Sequence, residues 1–160
     1  MIIIDIEASG VDYKKHSIVS IGALDFSNPT NRFYGECRIW DGAHIMDEAL
    51  AVCGFTKDQI TDPDKKSEAE LVQEFMEWSQ HMADRTLTGQ NVSFDRDMLK
   101  AGCERAGLPW DLAYRTLDTH TFCWMHMIKR GLIPPIDLQH RRSALNLVVI
   151  LIYCGIEDEL

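Results

Sequence analysis

The chain has 160 residues, 46% of them apolar and 26% charged, which suits one globular domain with a real core and argues against a disordered chain or two ordinary domains. A formal net charge of −9 excludes a protein held on nucleic acid by a broad basic surface, but not an acidic enzyme whose bound cations reverse the local sign. Five cysteines without a CxxC pair, no leader pattern and no apolar run of membrane length point to reduced thiols in a cytoplasmic protein that does not cross a membrane.

Met1-Ile2-Ile3-Ile4 opens the chain as a strand expected to be covered on both faces, and Asp5-Ile6-Glu7 continues it until Ser9-Gly10 breaks it. Ile18 to Phe26 reads as a second strand closed by Ser27-Asn28-Pro29, and Arg32 to Trp40 as a third. Short helical pieces alternate with turns from Met46 to Ile60. Ser67 and Glu70 form a capping-box pair ahead of the stripe Leu71, Phe75, Trp78 and Met82, so residues 67–82 are predicted helical. Arg85 to Thr88 is a short strand ending at a flexible Gly89. A helix from Ser93 to Ala106 is closed by Gly107 and Pro109. Arg115 to Thr119 is a short strand or the start of the helix that carries Phe122 and Met125. Gly131 to Pro135 is a loop, and a last helix is predicted from Arg142 to Cys154. Strands first, then alternating helix and strand, describe an α/β sheet: a three-strand antiparallel meander followed by parallel strands, flanked by helices.

Two groups of residues carry chemistry. Asp5 and Glu7 stand two apart on a strand, so their carboxylates share a face and repel when ionised. A hard divalent cation, Mg²⁺ or Mn²⁺, relieves that repulsion; a solvated strand end is the alternative. Asn91-Val92-Ser93-Phe94-Asp95 follows a short strand and begins a helix, which sets Asp95 near the strand ends; helix capping by Ser93 is the alternative there. Asp97 lies about 200° around the helix from Asp95 and faces elsewhere. Asp118 is expected to cap or to sit on the surface, and His120 and His126 share no helical face. The four tryptophans are scattered, as core or edge residues. Lys14-Lys15 is a small basic spot in a loop, placed to touch a phosphate or simply solvated, and Arg141-Arg142 either holds the strand backbone or begins a helix.

Taken in order, Asp5-x-Glu7 and Asn91-x-x-Phe94-Asp95 resemble the first two motifs of the DEDD superfamily of 3′→5′ exonucleases, which has a ribonuclease H-like fold and includes proofreading domains and ribonuclease T. Ile18 to Ala23, Gly54-Phe55-Thr56 and Leu117-Asp118-Thr119 resemble further segments of that family in the right order. The resemblance implies that Asp5, Glu7 and Asp95 are catalytic ligands of two divalent cations about 4 Å apart. It implies that Ala8 and Ser9 meet the 3′-terminal nucleotide through their backbone, and that Asn91 and Phe94 support the second motif and touch substrate. The implied partners are single-stranded nucleic acid or 3′ ends. The family's third motif, H-x-x-x-x-D or Y-x-x-x-D, is absent; His140 is followed by Ala144 and Leu145 at the decisive positions. The expectation is a single exonuclease domain over 1–160, truncated before that motif and weak or inactive as it stands, with apolar surface left exposed on the sheet and a tendency to homodimerise. The alternative is a catalytically silent nucleic-acid-binding or interaction module on the same fold.

Overall fold

A computed structural model describes residues 1–156. Strand β1 (Ile2–Ala8) buries Ile2, Ile4, Ile6 and Ala8 on one face and turns Ile3, Asp5 and Glu7 to the other. The alternation is that of a half-buried strand, so the cover expected on both faces of the run Met1–Ile4 is only partial at Ile3. β2 (Ile18–Asp25) and β3 (Asn28–Glu36) follow as an antiparallel meander. β3 begins four residues earlier than its apolar pattern predicts, because the turn at Phe26-Ser27 is tight. Pro29 lies within it and costs no ladder bond there, since β3 is an edge strand.

Two short helices, α1 (Asp47–Cys53) and α2 (Lys57–Thr61), pack Leu50 and Ile60 against Val19 of β2. Helix α3 (Glu68–Ser79) starts with the predicted reciprocal cap between Ser67 and Glu70. β4 (Leu87–Gly89) leads into α4 (Val92–Ala106), which ends on a left-handed Gly107. β5 (Thr116–Asp118) runs directly into α5 (Thr119–Lys129). The five strands lie in the order β3-β2-β1-β4-β5, with β1, β4 and β5 parallel. This is the α/β mixed sheet expected from the sequence. Its main core lies between that sheet and α3 and α4, around Phe75, Leu71, Leu87, Met98 and Leu99.

Three expectations are corrected. The predicted last helix does not begin at Arg142. Arg142–Ser143 is strand β7, paired with β6 (Ile136–Asp137), and α6 spans only Leu147–Tyr153. The Asn146 side chain accepts from the Val149 N–H and fixes the later start. Gly89 is not a flexible point either. A Cβ there would lie 2.7 Å from the Ile4 carbonyl oxygen, so glycine is needed for β4 to approach β1. The exposed apolar surface falls mainly on α5, the β6–β7 hairpin and α6 (Phe122, Met125, Ile133, Leu138 and Ile152) rather than on the sheet.

Candidate active site

β1, β4 and β5 are parallel, so their C-terminal ends share one edge of the sheet, where ligands of open α/β sheets bind. β1 is the longest of the three and runs past β4. The Ile2 N–H donates to Thr86, on the β4 side of the strand. Four residues on, the Ile6 N–H points the same way, but β4 has ended. Asp95 Oδ1 accepts it instead, at 2.8 Å. One hydrogen bond therefore carries the second motif to the first across 89 positions of sequence.

Asp95 is 3% exposed. Burial pushes its carboxyl up to about 7; the Ile6 N–H acts against that shift, while the charges of Asp5 and Glu7 add to it. Glu7 is raised as well, by burial first and by Asp5 second. Asp5 thus opposes ionisation of both Glu7 and Asp95, and Glu7 opposes that of Asp95. Hard oxygen donors held apart by repulsion suit a divalent cation, and Mg²⁺ completes its shell with water and phosphate oxygens. Among the described residues, no three His, Cys, Asp or Glu side chains stand close enough to enclose an ion by themselves. The three carboxylates therefore do not form an enclosed cation site by themselves. Thiols are unsuited to join it: burial pushes Cys37 up to about 12 and Cys103 up to about 11.

The other predicted site residues fall as follows. Ala8 is buried at the end of β1. Ser9 is fully buried; its N–H donates to Ser17, its C=O accepts from Met46, and its hydroxyl donates to the His44 carbonyl. Asn91 is exposed, with a left-handed backbone at φ 54, a conformation asparagine adopts more readily than most residues. Its side chain caps nothing in the helix, and Ser93 donates to it. Phe94 packs against the main core. Asp118 accepts from the His120 N–H and caps α5. Asp97 is paired with Arg96, away from Asp95. His120 and His126 bond Ser143 and Tyr153 on different elements.

Two features were missed by sequence reasoning. A cavity of about 670 Å³ lies beside Asn91, bounded by Gln90, Asp118, His120, Ser143 and Asn146. It depends on the β6–β7 hairpin, whose two-residue strands carry almost no periodic signal. Glu68 is 2% exposed and bonded to Arg105, yet in sequence it reads as an ordinary acidic residue of a first helical turn.

The description "Exonuclease" belongs to the family model that matches residues 2–130. No curated protein matches the chain. Among solved structures, product-bound exonuclease I is similar at a TM-score of 0.75 and 15% identity, over 98% of this chain and 38% of that one. E. coli exonuclease I in complex with a dT13 oligonucleotide is similar at 0.71 and 16% identity, over 98% and 36%. An SSB/exonuclease I structure with an inhibitor gives 0.76 and 15%, over 99% and 37%. The chain thus spans less than two fifths of the length of these structures, and the likeness is one of fold.

Proposed function

Because the chain belongs to the exonuclease family, we propose that it acts as a metal-dependent 3′→5′ exonuclease domain on single-stranded DNA or RNA. The observation that carries this reading is the coupled carboxylate group at the end of β1: Asp5 and Glu7 on one face, and Asp95 tied to Ile6 and pushed up to about 7. Ionising Asp95 at that buried position is costly unless a cation compensates the charge.

Two divalent cations, Mg²⁺ or Mn²⁺, would supply Lewis-acid activation of water and neutralise charge on the scissile phosphate. Asp5, Glu7 and Asp95 would hold them. Glu7, half-buried, also borders the position of the attacking water. Asp95 spends one oxygen on the Ile6 N–H, which fixes its direction and leaves the other free. Ala8 ends β1 and would meet the 3′-terminal nucleotide, and Ser9 begins the turn beyond it. Ser9 serves by holding that turn, since its own N–H and C=O are bonded within the protein. Asn91 offers an exposed amide at the start of α4, and Phe94 anchors that helix to the core. The oligonucleotide complex of E. coli exonuclease I supports a single-stranded substrate. No helix among the described residues is long and apolar enough to cross a membrane.

The test is release of nucleotides from a 3′-labelled single strand in Mn²⁺, set against a circular strand. Release that depends on a free 3′ end is expected. Asp5→Ala is expected to abolish it. Equal cleavage by Asp5→Ala, or cleavage in excess EDTA, would sink the reading. A second reading, a silent nucleic-acid-binding module, is favoured by the absence of an enclosed three-ligand group among the described residues. Strand binding with no turnover in either cation would select it.

A further inference from the structure

The β1–β2 pairing slips at the site. Glu7 pairs with Ser20, but the next residue, Ala8, pairs with Ile18, so Val19 is an extra residue in β2. Such a bulge bends its strand and re-aims the side chains around it. Here it turns Val19 into the cluster with Leu50 and Ile60. It also leaves the backbone around Ile18 in need of a partner outside the ladder.

Glu68 supplies that partner. Its Oε1 accepts from the Ile18 N–H at 2.8 Å and from the Ser17 hydroxyl at 2.9 Å. Ser17 is clasped to Ser9 in turn: the Ser17 N–H donates to Ser9 Oγ, and the Ser9 N–H donates to the Ser17 carbonyl, both at 2.9 Å. Ser9 is two residues beyond Glu7. A continuous bonded path therefore runs from the first turn of α3 to the end of the strand that bears the acidic pair.

The carboxylate at the head of this path is buried and needs compensation. Arg105, in the last turn of α4, grips it with two bonds, Nε to Oε2 at 2.7 Å and Nη2 to Oε1 at 2.8 Å. The same guanidinium donates to the Tyr13 carbonyl at 3.1 Å and lies over the Trp40 ring. An acid at a helix N-terminus and a base at a C-terminus each suit the local dipole. Arg105 thus joins both helices, the 10–17 loop and the bulge at one point.

We infer that Glu68, gripped by Arg105, is a positioning residue: it fixes the bulge and the Ser9–Ser17 clasp, and so sets the direction in which Glu7 and Ala8 leave β1. Its consequence for activity rests on the role proposed above for Glu7. Groups that orient ligands without touching the ion commonly cost about 10–100-fold in metal affinity when removed.

The experiment compares amide hydrogen exchange and Mn²⁺ affinity in wild type, Glu68→Ala, Glu68→Gln and Asp5→Ala. In Glu68→Ala, without metal, exchange at Ser9, Ser17 and Ile18 is expected to rise at least ~10-fold more than at Met98 and Leu99 in α4, with Mn²⁺ bound about 10-fold more weakly. Glu68→Gln retains an acceptor oxygen and is expected to restore much of both. Should Glu68→Ala fail to fold, Arg105→Ala is read at the same amides for the same pattern. Uniform acceleration along the chain, or unchanged Mn²⁺ affinity alongside loosened amides, overturns the inference. If wild type and Asp5→Ala bind Mn²⁺ alike, the proposed function falls instead, and the exchange pattern alone decides the role of Glu68.

Discussion

Asp95 is where charge, burial and backbone bonding meet. Its carboxyl ionises at about 7 in the folded chain, against about 3.9 in an unfolded one. A raised carboxyl favours the protonated native state. Its contribution is fully present below about pH 4 and is lost as pH rises through 7. In EDTA, urea unfolding from pH 4 to 8 should therefore show wild-type stability falling more steeply than that of Asp95→Asn. The variant keeps an oxygen for the Ile6 N–H and should be more stable at pH 8 by about 2–4 kcal/mol. Mn²⁺ should narrow that gap by stabilising only the wild type's ionised native state. Parallel pH curves would mean that burial does not hold the proton there. Ser9 carries a different lesson. Its place after Asp5-x-Glu7 suggests substrate contact, while its bonds assign it to the turn.

Local rules were legible wherever one element controls its own ends. The Ser67–Glu70 cap, the left-handed Gly107 stop and the burial of Leu71 and Phe75 all follow from short-range patterns. Ser67→Ala should cost about 1 kcal/mol in thermal or urea unfolding, the usual value of such a cap. Gly89 obeys a rule set by its neighbour strand. Gly89→Ala places a Cβ against the Ile4 carbonyl at 2.7 Å, and should cost about 2–3 kcal/mol by forcing β4 away from β1. A loss under about 0.5 kcal/mol would show that the strands separate freely. The predicted start of the last helix failed for the complementary reason. Residues 142–146 contain no Gly or Pro to stop a helix, but Arg142–Ser143 has a strand partner in Ile136–Asp137 that local sequence does not reveal.

At the scale of the molecule, stability is divided unevenly. The main core joins β1, β2, β4, α3 and α4, whereas Cys123, Leu145 and Ile150 form a small separate cluster between α5 and α6. Leu99→Ala, at a fully buried position, should cost about 3 kcal/mol and lower protection throughout the sheet. Ile150→Ala should cost less and raise exchange mainly over 119–153. Equal losses of protection in both variants would mean one cooperative unit.

The sequence by itself determined the class of fold, the order of its elements as far as α5 and the identity of the acidic residues, because strand alternation, helix caps and motif spacing are written within a few positions. It also supplied the resemblance that the match over residues 2–130 bears out. Tertiary structure decided how the two motifs meet. β4 ends before β1 does, which leaves the Ile6 N–H for Asp95, and a bulge opposite Ala8 hands Ile18 to Glu68. Both facts concern backbone groups left over when strands of unequal length are paired, and no local pattern records which groups those will be.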